Sequence, residues 1–284
     1  MDYKILGRTG VLVSNLCLGT MTFGSETEEG EAMRIFHKCR AAGVNFFDCS
    51  NNYSEGRAET ILGKAIADCR DDVIITTKVS QRTGKDVNAV GSSRRHIMRS
   101  IEQSLTRLKT DRIDLYFIHY FDPFTAMDET LRALDDLVHQ GKVLYLGVSN
   151  WAAWQIAKAL GISAREALAR FECIEPMYSL VKRQAEVEIL PLAASEQLGV
   201  IAYNPLGAGL LSGKYSDRVK LQTGRLVEKE AYGKRYSEPS YYTIAERFVD
   251  YAQQLGVNPV TLAISWVQSH PAITAPIIGA RNVS

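Results

Sequence analysis

Val73-Ile74-Ile75-Thr76-Thr77-Lys78 and Ile113-Asp114-Leu115-Tyr116-Phe117-Ile118-His119 are two short, mostly apolar runs, each ending on a titratable side chain. Their near-continuous apolar character is that of parallel strands buried on both faces. Between them Ile97, Ile101, Ser104, Leu105 and Leu108 recur at helical spacing around one small residue, so the unit reads strand, helix, strand. The same rhythm extends outward in both directions. Strands are expected over 16–19, 45–48, 73–78, 113–119, 143–149, 171–175, 200–203 and 275–278. Further helical stripes fall at Ala32, Ile35, Phe36, Cys39 and at Met127, Leu131, Leu134, Val138. Gly43, Gly141, Gly199 and Gly256 stand where helices should end. Eight strands alternating with helices imply an α/β fold closed as a (β/α)8 TIM barrel, because an open sheet would need a reversal of strand order.

A length of 284 residues suits one such barrel, typically ~250 residues, so 1–284 is expected to be a single catalytic domain. A composition 46% hydrophobic and 23% charged supplies a sizeable core and excludes wholesale disorder. With 33 basic against 32 acidic residues the net charge is +1, and neither sign forms long blocks. No electrostatic footprint for nucleic acid or an anionic membrane results. Cys17, Cys39, Cys49, Cys69 and Cys173 are odd in number and never spaced C-x-x-C, which signals neither a disulfide framework nor a zinc site. A reducing cytoplasm is the expectation, reinforced by a start, Met1-Asp2-Tyr3-Lys4, that does not read as a signal sequence.

Ahead of the first strand, residues 4–6 and 11–14 flank Gly7-Arg8-Thr9-Gly10 and read as a hairpin able to cover the barrel's N-terminal mouth. The long interruption is 204–242, expected to be a loop that covers a bound ligand. Ser284 lies a few residues past the eighth strand, so the closing helix of a complete barrel is expected to be missing.

In barrels of this type the chemistry sits at the C-terminal ends of the strands. Asp48, Lys78, His119, Ser149-Asn150 and Glu175 occupy those ends, and Tyr53 can reach back from the loop after Asp48. Taken singly, a strand-end Asp is commonly a cap, a Lys commonly points to solvent and a His is more often structural than catalytic. Converging on one mouth, Asp48, Tyr53, Lys78 and His119 favour an acid-base centre.

Asp48-Cys49-Ser50-Asn51-Asn52-Tyr53 with Ser54-Glu55-Gly56, Thr77-Lys78 and Ile118-His119 resembles the aldo-keto reductase superfamily. The likeness extends through residues 18–24, Gly147-Val148-Ser149-Asn150-Trp151, residues 203–215 and Ile277-Ile278-Gly279-Ala280-Arg281, which is essentially the whole chain. Its phrasing is similar to the bacterial and plant branch that includes potassium-channel β subunits. The resemblance implies hydride transfer from NADPH to an aldehyde or ketone, giving the alcohol and NADP+. Tyr53 is then the general acid, Lys78 and Asp48 tune it, and His119 orients the substrate. A phenol, which ordinarily titrates near pH ~10, holds its proton at neutral pH, and a neighbouring ammonium stabilises the phenolate left behind.

The resemblance further implies cofactor contacts from Gly19, Thr20, Met21, Asp48, Ser149, Asn150, Glu175, Tyr203, Asn204, Pro205, Leu206, Gly207, Gly209, Leu211, Ser212, Lys214, Arg225, Gly279 and Arg281. Ser149 and Asn150 would hold the carboxamide, Tyr203 would stack on the nicotinamide, and Gly279 with Arg281 would reach the adenine ribose. Arg281 favours a 2′-phosphate, hence NADP(H) over NAD(H). Glu175 stands where the family usually has Gln, and Asn204 where it usually has Ser. A near match to G-x-G-x-x-G at 207–212 carries Ser212 in the third glycine position and lacks the βαβ context of that fingerprint.

Phe23, Tyr120, Phe121 and Trp151 adjoin the expected mouth and suggest an aromatic-walled substrate pocket, with packing of the barrel rim as the equal alternative for each. Beside a carbonyl reductase stand two other readings: a cofactor-sensing regulatory subunit on the same barrel, and an aldolase or isomerase using Lys78 as a Schiff-base nucleophile. The expected partner is a small carbonyl substrate, with no nucleic acid, membrane or metal, and self-association is left open.

Overall fold

Gly7 and Gly10 adopt left-handed φ (55° and 77°), which lets the chain reverse between β1 (Tyr3–Ile5) and β2 (Leu12–Ser14) in an antiparallel hairpin. The computed structural model describes residues 1–215 and 224–283. After the hairpin come β3 (Cys17–Gly19), β4 (Phe46–Asp48), β5 (Ile74–Val79), β6 (Ile113–Ile118), β7 (Val143–Ser149), β8 (Phe171–Glu175), β9 (Gly199–Ala202) and β10 (Ala275–Ile278). All eight pair in parallel with their sequence neighbours, and β10 pairs with both β9 and β3, so the barrel closes. The expected (β/α)8 architecture and hairpin are the observed ones.

The connecting helices are α1 (Glu29–Ala41), α2 (Arg57–Ala65), α3 (Arg94–Leu108), α4 (Met127–His139), α5 (Ala153–Glu166) and α6 (Ile189–Ser195). Between β9 and β10 lie α7 (Arg225–Glu228), α8 (Glu230–Arg235), α9 (Pro239–Gln254) and α10 (Pro259–Ser269). Alternation along each strand divides the core. Tyr116 and Ile118 of β6 pack with the helices in the largest apolar cluster, whereas Leu115 and Phe117 join Cys17, Phe46, Cys173, Ile201 and Ala275 inside the barrel. Leu6 and Val13 of the hairpin belong to that inner cluster. A Cβ on Gly7 would lie 2.7 Å from the backbone nitrogen of Gly199, the first residue of β9, so the hairpin is pressed against the N-terminal ends of the strands.

Two details depart from expectation. Gly199 does not end a helix. Gln197 takes the left-handed turn after α6 (φ 54°), and Gly199 opens β9, where a Cβ would sit 2.6 Å from Leu6 Cδ1. The segment 204–242 is not one irregular loop either, although its stretch 216–223 lies outside the described residues. A 3₁₀ turn covers Gly207–Ser212 and helices α7 and α8 follow, because Leu226 and Tyr236 are drawn into a second apolar cluster with Val181, Leu210, Leu211 and Phe248. Past β10 the last described residues lie along α1, where Val283 donates its N–H to Glu31 Oε1.

Candidate active site

Asp48 and Glu175 end β4 and β8, Lys78 is the penultimate residue of β5, and the alternation of each strand turns all three side chains inward. They meet in a buried charge cluster. Lys78 Nζ donates to Asp48 Oδ1 at 2.5 Å and to the Cys49 carbonyl at 2.9 Å, and lies 3.3 Å from Glu175 Oε2. The Thr76 hydroxyl donates to Asp48 Oδ1 at 2.6 Å, fixing that carboxylate from the neighbouring strand. Burial works against the Lys78 charge, but the two carboxylates outweigh it and hold the ammonium protonated well beyond its usual range.

Tyr53 follows on the loop after β4, in a 3₁₀ turn where Ser54 and Glu55 take left-handed φ of 49° and 58°. That strained turn carries the ring to within 5.2 Å of Lys78 Nζ, measured to the ring centre, and sets it edge-on to His119 at 6.0 Å. Burial raises the phenol pKa well above its ordinary value, with Lys78 opposing. His119 lies one residue past β6. Burial, then the Lys78 charge, push its pKa well down, so the imidazole is neutral near pH 7. Ser50 Oγ sits 3.2 Å from its Nδ1, leaving Nε2 as the nitrogen for the cavity. The four expected acid-base residues therefore converge: a protonated phenol, an ammonium beside it, a carboxylate holding the ammonium, and a neutral imidazole.

Asp48, Tyr53 and His119 line a cavity of about 760 Å³ at the C-terminal mouth of the barrel, within the range of small-molecule sites, and Lys78 is buried behind them. Of the expected cofactor residues, Gly19, Met21, Asp48, Asn150, Glu175, Tyr203, Asn204, Pro205, Leu206, Gly209, Lys214, Arg225, Gly279 and Arg281 line it. Thr20, Ser149, Gly207, Leu211 and Ser212 stand behind that wall. Thr20 Oγ1 donates to the Asp48 carbonyl and Ser149 Oγ to the Glu175 carbonyl, so both brace lining residues rather than face the space. Leu211 packs in the second apolar cluster. Among the expected substrate residues Tyr120 lines the cavity. Phe23 is buried in the main core, and Phe121 and Trp151 pack edge-on at 5.1 Å against each other on the rim.

Gln81, Tyr232 and Arg235 also line the cavity and were not among the expected residues. Tyr232 and Arg235 belong to α8, whose short, glycine-containing sequence gives no helical stripe to read.

Several features fit a bound dinucleotide. Glu175 Oε2 is buried at the cavity wall, 3.3 Å from the Lys78 ammonium and otherwise without a hydrogen-bond partner. The Tyr203 hydroxyl donates to Asn150 Oδ1 at 2.7 Å, and Asn150 (φ 58°) gives its amide N–H to Ser149 Oγ and the His119 carbonyl, presetting the wall where a carboxamide would bind. Gly209 (φ 95°) keeps the backbone bare beside Lys214, whose Cε would lie 2.5 Å from a Cβ there. Among the described residues no cluster of metal-ligating side chains occurs, and no helix is long and apolar enough to cross a membrane.

Burial, then the Asp48 charge, push the Glu175 carboxyl up to about 8. A carboxyl whose pKa is raised on folding contributes stability that is full below its unfolded value and lost as pH rises through about 8. Glu175→Gln should therefore flatten the fall in melting temperature between pH 6 and pH 9.5, by roughly 5 °C relative to the parent. Parallel melting curves for parent and variant would dismiss the buried carboxyl as a titrating group in this range.

A model of the Aldo/keto reductase family matches residues 15–284. An uncharacterized oxidoreductase of Bacillus subtilis (strain 168) is 39% identical over 294 residues, covering 100% of this chain and 88% of the relative. A probable voltage-gated potassium channel subunit beta of Oryza sativa subsp. japonica is 36% identical, covering 99% and 88%. A versiconal hemiacetal acetate reductase of Aspergillus parasiticus is 30% identical, covering 99% and 89%.

Proposed function

The chain belongs to the aldo/keto reductase family, and on that premise we propose that it reduces an aldehyde or ketone to the alcohol with NADPH, Tyr53 giving the proton. The observation that carries this reading is the half-buried, protonated phenol at the wall of the cavity, set beside the buried Lys78 ammonium. When bound, the nicotinamide supplies the hydride. Tyr53 then donates its proton to the oxygen as alkoxide charge develops, and Lys78 stabilises the phenolate that remains. Asp48 keeps Lys78 charged and aimed, and His119 orients the substrate oxygen through Nε2.

Asn150, Glu175 and Tyr203 would hold the nicotinamide end. Lys214 with the bare backbone at Gly209 would take the pyrophosphate, and Arg281 and Arg225 the adenosine end. Lys214, Arg225, Tyr232 and Arg235 all come from 204–242, which supports a covering role for that segment. A Schiff-base reaction fits poorly, since its nucleophile must be a free amine and Lys78 is held as an ammonium.

NADPH consumption measured against a panel of aldehydes, ketones and sugars tests the proposal. Binding of NADPH with no turnover of any carbonyl would favour the second reading, a cofactor-sensing subunit, which the rice relative motivates. The guanidinium of Arg281 should make NADPH the tighter ligand, with Arg281→Ala narrowing its advantage over NADH by roughly tenfold. An unchanged ratio of the two affinities in Arg281→Ala would reject the role of Arg281.

A further inference from the structure

Glu26 lies in the loop between β3 and α1 that also carries Met21 and Thr22, both in the cavity wall. Its carboxylate meets three cations. Oε2 is 3.0 Å from Arg281 Nε and 3.9 Å from Arg225 Nη2, and Oε1 is 3.4 Å from Lys229 Nζ. These cations come from two separate stretches of the chain: Arg281 from the segment after β10, Arg225 from α7 and Lys229 from the residue that follows it. Arg225 and Arg281 themselves line the cavity. A second carboxylate, Glu228 Oε2, stands 4.0 Å from Arg281 Nη2. The place where two cavity guanidiniums converge thus holds an anion belonging to the chain. Its worth to the fold is small, because ion pairs this exposed contribute ~0–1 kcal/mol each.

We propose that Glu26 sets cofactor specificity, as an internal carboxylate that competes with a 2′-phosphate for Arg281 and Arg225 and accepts a hydrogen bond from a 2′-hydroxyl. The proposal rests on reading the cavity as a nicotinamide dinucleotide site. A 2′-phosphate must displace Glu26 from Arg281 or bind beside it against its charge, whereas a hydroxyl is neutral and donates to a carboxylate. Arg281 therefore creates a preference for NADPH that Glu26 narrows, leaving both nucleotides as ligands.

Fluorescence titration with NADPH and with NADH is made on the parent, Glu26→Gln, Arg281→Ala and the double variant. Glu26→Gln should tighten NADPH about fivefold or more while NADH stays level or weakens. In the Arg281→Ala background the same change should move the ratio of the two affinities less than about twofold, since the competition acts through that guanidinium. Taking both nucleotides on one preparation cancels any common loss of folded protein. An unchanged ratio in Glu26→Gln, or an equal gain for both nucleotides, overturns the proposal while leaving the dinucleotide site standing. Failure of the parent to bind either nucleotide overturns that site and the proposal with it.

Discussion

Tyr53→Phe is expected to lower carbonyl turnover by 10²–10⁴-fold at saturating NADPH, the usual contribution of a positioned general acid. The change removes one hydroxyl and keeps the ring, so the packing beside Lys78 and the edge contact with His119 survive. NADPH affinity should accordingly change less than about twofold, because no cofactor contact is assigned to that hydroxyl. The comparison uses turnover of the best substrate from the panel, with nucleotide affinity measured separately. A variant that kept more than roughly a tenth of the parent's rate, a barrier change below ~1.4 kcal/mol, would remove Tyr53 from the role of acid. Retained rate in His119→Ala beside a lost rate in Tyr53→Phe would separate proton donation from orientation of the substrate.

The convergence of the proposed acid-base residues was legible in the sequence because strand ends in a closed parallel barrel all deliver their side chains to one mouth. Asp48, Lys78, His119 and Glu175 each terminate an apolar run, and that position alone predicts convergence. What lies beside a strand end is another matter. Phe23, Phe121 and Trp151 are as close in sequence to the mouth as Tyr120, yet they turn into the core or the rim. The direction of a loop side chain depends on backbone turns that hydrophobic period does not encode. The cavity wall from α8 was hidden for a related reason, since a helix of six residues spans less than two turns and shows no stripe. Glu26 was hidden more deeply. Its partners lie about two hundred and fifty positions away in Arg281 and two hundred in Arg225, and only closure of the barrel between β10 and β3 brings them to it.

The same closure explains why Lys78→Met should be the most damaging substitution for stability. Lys78 is fully buried between Asp48 and Glu175, and Met keeps most of its volume while removing the charge. Two carboxyl groups would then share a dry pocket without the ammonium that balances them. Breaking a buried ion pair from one side typically costs ~3–5 kcal/mol, because the remaining charge keeps its desolvation penalty. The cost should depend on pH in a defined direction. Without the cation the Glu175 carboxyl, already at about 8, moves further up and takes a proton in the folded state. A raised folded-state pKa means stability that is lost as pH rises, so urea denaturation should show a larger deficit at pH 9 than at pH 6. Adding Glu175→Gln to Lys78→Met should recover part of the deficit at pH 9, where it removes the carboxyl that must take up a proton on folding. A loss below ~1 kcal/mol, or an equal loss at both pH values with no recovery in the double variant, would mean that the ammonium is not what makes this carboxylate pair tolerable.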